Sequence, residues 1–150
     1  MRTFIYYSRT APTSGSAVGS DLMKSGRLDI AIHTVIASFF LSHALRTDTK
    51  LHLVFAGQPD PVKHLILQPE TQGKTGLDKV YLSKKDVSGL IKRMLYKYKE
   101  GKKTEVLPGC WIERKSFERV VSELANKGNE IFILDEKGEN LRDVKIPKNL

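Results

Sequence analysis

The chain has 150 residues, 40% of them hydrophobic and 28% charged, the composition of one globular domain able to bury a core. Its formal net charge is +8 and its pI about 9.6, a balance that suits a polyanionic partner such as nucleic acid or an anionic membrane surface, and also plain solubility. Cys110 is the single cysteine, which excludes an intrachain disulfide framework and a cysteine-cluster zinc site and fits a reducing, cytoplasmic setting.

Residues 2–8 read as a first strand, because Phe4, Ile5, Tyr6 and Tyr7 form a continuous apolar run of the kind covered on both faces. That opening run is too short for a signal peptide. Residues 11–25 read as a long loop with Pro12, Gly15, Gly19 and several serines, and loops of this length in a compact domain are often functional. Ser25-Gly26-Arg27-Leu28-Asp29 then opens a first helix expected over residues 28–45. Asp29 falls in its first turn, where the helix dipole favours a carboxylate. Ile30, Ile32, Val35, Ile36, Phe39, Phe40 and Leu41 make nearly every face apolar, so the helix is expected to pack on a sheet and against a second subunit. Its length invites comparison with a membrane span. Asp29, His33, Ser38, Ser42 and His43 argue against that reading, so no membrane is expected.

A second strand is expected over residues 51–56, and Gly57-Gln58-Pro59-Asp60-Pro61 is a turn, since prolines cannot donate to a central ladder. Residues 63–68 read as a third strand and 69–76 as a loop. Ser83-Lys84-Lys85-Asp86 has capping-box-like spacing and opens a second helix. Val87, Leu90, Ile91, Met94, Leu95 and Tyr98 give that helix one apolar face, and Gly101 ends it. One strand is expected around residues 108–112, a third helix over 116–127 closed by Gly128, and a last strand over 130–134. Strands alternating with helices predict a single α/β domain with a mostly parallel sheet.

Several motifs are weak. Gln72-Gly73-Lys74-Thr75 lacks the glycine that a phosphate-binding loop needs five residues before Gly73, where Gln68 stands. The dinucleotide fingerprint and the nucleophile elbow do not occur. His33, His43, His52 and His64 do not pair at i, i+4, which favours structural roles and no metal. Lys84, Lys85, Lys92, Arg93, Lys97, Lys99, Lys102 and Lys103, with Tyr96 and Tyr98 among them, read either as a solvated face or as a phosphate-contacting one. Arg27 precedes the expected first helix and Arg46 follows it, so they stand about 25 Å apart along it. One site holds both only if a dimer brings them together, and ion pairing or capping is the alternative for each.

The order Gly26-Arg27-Leu28-Asp29, then residues 39–48, then Gly57-Gln58-Pro59-Asp60-Pro61, then Pro108-Gly109-Cys110-Trp111-Ile112-Glu113-Arg114 resembles the archaeal tRNA pseudouridine-54 N1-methyltransferases. These belong to the SPOUT class of knotted, S-adenosylmethionine-dependent RNA methyltransferases. The opening Met1-Arg2-Thr3-Phe4-Ile5 and residues 133–139 fit as well, so the likeness runs across nearly the whole chain. It implies a Rossmann-like sheet, a homodimer, a tRNA substrate and S-adenosylmethionine as methyl donor. Relatives continue past the position of Leu150 into a C-terminal knot that supplies most cofactor contacts. The chain is therefore expected to be the N-terminal part of such a domain, with its cofactor residues beyond Leu150 and weak activity by itself.

Within that resemblance Asp29 is the candidate general base or orienting carboxylate for the N1–H of the base, with Arg27 beside it as charge partner. Arg27, Arg46 and Arg114 are candidates for phosphate or substrate contact as planar donors. Gln58 is placed to read the edge of a flipped base. Three other readings stay open: a noncatalytic basic RNA-binding module, a methyltransferase of the same class acting on ribosomal RNA, and a small-molecule α/β enzyme.

Overall fold

A computed structural model describes residues 1–41, 44–69 and 84–147. The strands are β1 (Arg2–Ser8), β2 (Thr49–Phe55), β3 (Lys63–Leu67), β4 (Thr104–Leu107) and β5 (Cys110–Glu113); the helices are α1 (Leu28–Phe39), α2 (Lys84–Tyr96) and α3 (Phe117–Asn126). The strands form one sheet in the order β1-β2-β3-β5-β4. Side chains alternate across it as a pleat requires. Leu51, Leu53, Phe55, Leu65, Leu67, Cys110 and Ile112 face the main core, with Leu28, Ile32, Val35 and Phe39 of α1 and Val87, Ile91 and Met94 of α2. His52, Val54, His64, Ile66, Trp111 and Glu113 fall on the opposite face, where Phe117 of α3 stacks on Tyr7 at 4.9 Å.

The α/β class agrees with the sequence reading, but the sheet is mixed rather than mostly parallel. β1 and β2 run parallel, joined by the α1 crossover, whereas β2–β3, β3–β5 and β4–β5 are antiparallel. The linkers decide this. Residues 56–62 are too few for a parallel crossover, which needs about a dozen. Pro108-Gly109, with Gly109 at φ 83°, is a tight reversal that splits the single strand expected around residues 108–112 into the hairpin β4–β5.

α1 is also shorter than expected. It stops at Phe39, and Phe40 is extended. The chain then doubles back: Phe40 bridges Leu45, Leu41 N–H donates to the Ala44 carbonyl, and Arg46 N–H donates to the Phe39 carbonyl at 2.7 Å. The crossover must return the chain to Thr49 beside Arg2. A twelve-residue helix rises about 18 Å and β1 spans about 23 Å, so a helix six residues longer would overrun the strand it recrosses. Nor is α1 buried all round, since Ile30 and Leu41 just past its end are 42% and 49% exposed.

β1 lies at the sheet edge, with Phe4 and Tyr7 more than a third exposed, so it is not covered on both faces. Residues 130–134 form no strand: the apolar run finds no ladder partner, and Ile133 and Leu134 are 86% and 78% exposed. α3 begins one residue after its expected start, where Ser116 Oγ caps it by accepting the Arg119 N–H, and Gly128 follows its end at φ 86°. Ser42, His43, the Gln72–Thr75 stretch (72–75) and Ser83 lie outside the described residues. Among the described residues no helix is long and apolar enough to cross a membrane.

Candidate active site at the carboxyl ends of β1 and β2

Two short segments converge on residues 10–13, just past the end of β1. The first is the entrance of α1. Gly26 has φ 61°, and a Cβ there would stand 1.8 Å from the Thr10 carbonyl oxygen, so only glycine fits. Thr10 Oγ1 donates to the Gly26 carbonyl at 2.8 Å. Arg27 follows in the same left-handed region, φ 58° and ψ 39°, a conformation that costs a non-glycine residue about 1–3 kcal/mol. It turns the guanidinium back onto the helix it caps. Arg27 Nε and Nη2 donate to Asp29 Oδ1 and Oδ2 at 3.1 and 3.0 Å. The fork leaves lone pairs on both carboxylate oxygens for a further donor.

The second segment is the turn after β2. Gly57 N–H donates to the Ala11 carbonyl at 2.9 Å, and a Cβ on Gly57 would meet the Thr10 and Ala11 carbonyl oxygens at 2.4 Å. Thr13 N–H donates to the Gln58 carbonyl, and Thr13 Oγ1 accepts the Asp60 N–H at 2.7 Å. The Gln58 side chain is exposed. Beside Asp29 lies an open depression of about 490 Å³ lined by Ser20, Asp21, Leu22 and Met23.

Arg114 is exposed and stands one residue beyond β5. Since Glu113 pairs with His64, Arg114 lies level with the start of β3, at the same edge of the sheet as Gln58. Lys63 there is buried, its Nζ donating to the Pro61 carbonyl and lying 4.3 Å from the Tyr98 ring centroid. Burial holds its pKa below the ordinary lysine value, and the Arg114 charge adds to that while Asp60 opposes it. Arg27, Asp29, Gln58 and Arg114 therefore occupy one edge. Arg46 does not join them within the chain: it precedes β2, at the opposite edge, with its Nε 3.8 Å from Asp48.

A buried polar chain under Arg114 was not legible in the sequence. His52 Nδ1 lies 2.7 Å from His64 Nε2, His64 Nδ1 lies 3.0 Å from Glu113 Oε1, and Lys115 Nζ bridges Glu113 at 2.7 Å and Glu123 of α3 at 2.6 Å. Burial, then the neighbouring His64 and the lysines Lys50, Lys103 and Lys127, pushes His52 down to about 3. Burial also lowers His64, against the pull of Glu113. Burial alone would raise Glu113, but hydrogen bonds from Lys115 and His64 hold it below the ordinary carboxylate value. Both imidazoles are thus neutral at pH 7. The ionised Glu113 fixes the tautomers: His64 donates from Nδ1 to Glu113, and His52 donates from Nδ1 to His64 Nε2. This leaves the buried His52 Nε2 as a lone pair with no partner. The arrangement ties Arg114 to both the sheet and α3. His52 and His64 are twelve apart in sequence, and only the β2–β3 register makes them neighbours.

The described residues fit a methyl donor poorly. The depression beside Asp29 is open, and the side chains lining it offer two carboxylates and a hydroxyl but no cationic or amide group for an amino-acid carboxylate. No described residue is assigned to a cofactor. Among the described residues, no group of three His, Cys, Asp or Glu side chains is placed to hold a metal ion.

The chain is similar to known proteins over nearly its whole length. The tRNA (pseudouridine(54)-N(1))-methyltransferase of Pyrococcus abyssi is 32% identical over 152 residues, covering 99% of this chain and 74% of the relative. The proteins of that name from Methanocaldococcus jannaschii and Methanococcoides burtonii are 31% and 30% identical, covering 97% and 96% of this chain and 72% and 69% of theirs. The family described as "Putative SAM-dependent RNA methyltransferase" matches residues 1–149, and the chain belongs to that family.

Proposed function

We propose that the protein methylates N1 of pseudouridine at position 54 of tRNA, with S-adenosylmethionine as the methyl donor, in the cytoplasm. The observation that carries this reading is the forked Arg27–Asp29 pair at an open depression, sharing one sheet edge with Gln58 and Arg114. Pseudouridine presents an N1–H that uridine lacks, and methylation at N1 requires that proton to leave. Asp29 accepts it through a lone pair that the Arg27 fork leaves free. The same contact aligns the ring nitrogen, and positioning of this kind supplies much of a transfer rate. Gln58, on a turn pinned to residues 10–13, offers an amide to the edge of the extruded base. Arg114 takes a backbone phosphate. S-adenosylmethionine supplies the methyl group when bound.

The reading includes a homodimer. Ile30 and Leu41 leave apolar surface along α1 and its exit, which a second copy would cover, and Arg46 would then serve the partner's site. The test is methyl transfer to a T-arm RNA carrying pseudouridine, with the uridine RNA as control. Transfer to N1 of the pseudouridine RNA alone is expected, and Asp29→Asn should lower turnover by about 100-fold or more. Equal labelling of both RNAs would overturn the substrate assignment, and unchanged turnover in Asp29→Asn would remove the carboxylate from the mechanism.

A further inference from the structure

The face of the sheet opposite the main core carries a group of cations that the proposed site does not use. Lys50 lies two residues before His52 on β2 and projects on the same side. His52 pairs with Ile66, and Ile66 with Trp111, so Trp111 lies in the same row two strands away, about 10 Å across the sheet. Lys103 Nζ sits over the Trp111 ring, 5.5 Å from its centroid. Lys127 caps the end of α3, whose Phe117 stacks on Tyr7 on this face, and its charge acts on both Lys50 and His52. Burial first, then the charges of Lys103 and Lys127, holds the Lys50 pKa below its ordinary value, so both ammonium groups repel that of Lys50 through space. None of the three is ion-paired among the described residues. Glu105, beside Trp111 on β4, pairs with none of them, and Glu113 is taken by Lys115 and His64. His52, buried beneath, is neutral and adds only an unpartnered lone pair.

Three like charges held together over a half-buried stem oppose folding unless an anion relieves them. The relief is large where the cations are partly desolvated and their field is not already cancelled. We propose that Lys50, Lys103 and Lys127 form a docking surface for RNA backbone phosphate, separate from the Arg27–Asp29 edge. The surface runs across the sheet face, with Lys50 at the end of β2 that also carries Arg46. Its place on the face away from the main core, apart from the Arg27–Asp29 pair, lets an RNA be held at two separated points. Trp111 borders the cluster, as aromatic side chains do where nucleic-acid backbones are tracked. The partner class rests on the RNA-methylation reading, but the phosphate site itself does not.

The test uses an unmodified tRNA T-arm hairpin, followed by Trp111 emission (the chain has one tryptophan) and by affinity across a salt series. Phosphate arriving at Lys103 draws its ammonium away from the indole, so Trp111 emission should change on binding. The double variant Lys103→Gln/Lys127→Gln alters two exposed side chains and spares the half-buried Lys50. It should lower the slope of log affinity against log salt by about 2 and weaken binding roughly 10- to 100-fold at 0.1 M salt. Inorganic phosphate at equal concentration should leave the emission nearly unchanged, because a single anion lacks the release of many counterions. An unchanged salt slope in the double variant, or unchanged Trp111 emission when the hairpin binds, would overturn the proposal. Hairpin binding that depends on the lysines, in a protein that methylates no pseudouridine RNA, would overturn the activity reading and leave this one standing. Methylation with lysine-independent binding would do the reverse.

Discussion

Acidification from pH 7 to pH 5 should strip stability from this fold in a way that reports the His52–His64 pair. His52 is 5% exposed and its pKa is lowered from 6.5 to about 3, so the folded state refuses a proton that the unfolded chain accepts. A depressed histidine contributes stability that is fully present above the unfolded value and is lost as pH falls below it, down to the folded value. At pH 5 the unfolded His52 lies 1.5 pH units below its pKa of 6.5 while the folded one is still neutral. At about 1.4 kcal/mol per unit, the loss is about 2 kcal/mol. His64, lowered by burial despite Glu113, acts with the same sign over the same window. The His52 loss alone is a large share of the roughly 5–15 kcal/mol that holds a domain folded, and His64 adds to it. Glu113 does not contribute here, because a depressed carboxylate loses its contribution only below the ordinary carboxylate range. The assay is urea unfolding followed by circular dichroism at pH 7, 6 and 5. His52→Gln keeps a donor for His64 Nε2 but cannot titrate, so it should remove about 2 kcal/mol of the decline. Stability unchanged between pH 7 and 5 in the unsubstituted protein would refute the assignment of two neutral buried imidazoles.

Two further outcomes are expected. Gly26→Ala places a Cβ against the Thr10 carbonyl as well as imposing a left-handed alanine, and should cost about 2–4 kcal/mol in the same urea assay. Gly101→Ala, also left-handed at φ 71° but with nothing within 4 Å, should cost only about 1–2 kcal/mol; equal costs would show that the close approach is not what constrains Gly26. Ile30→Asp with Leu41→Asp should shift the protein toward monomer in sedimentation analysis while leaving its circular dichroism intact, and an unchanged sedimentation coefficient would place the dimer contact elsewhere.

The elements whose signal is local were legible. β2 and β3 announced themselves as apolar runs bounded by turn residues, and α3 by its closing glycine. The direction of β3 and β5 was hidden, because it depends on how few residues join them to their neighbours and not on the strands themselves. α1 was over-read for a similar reason: residues 40–45 are as apolar as a helix, and what ends it at Phe39 is the length of the strand it must recross. Residues 130–134 carry strand composition without a partner, and pairing is not a property of one segment. At the site, the residues quoted from the family likeness converge except for Arg46. The fork of Arg27 on Asp29 needed a left-handed backbone that no arginine advertises. The histidine chain needed a cross-strand register.

The anchoring of both site segments on residues 10–13 gives two parts of the long loop before α1 different structural roles. Residues 10–13 set the spacing between Asp29 and Gln58 through backbone contacts, so an insertion there would separate the carboxylate from the amide. Residues 20–23 line the depression and are tied to the start of α1, where the Met23 and Leu22 carbonyls accept the Arg27 and Leu28 N–H groups. A substitution there that keeps the backbone therefore changes the wall beside Asp29, whereas an insertion would also shift the entrance of α1 that carries Arg27 and Asp29.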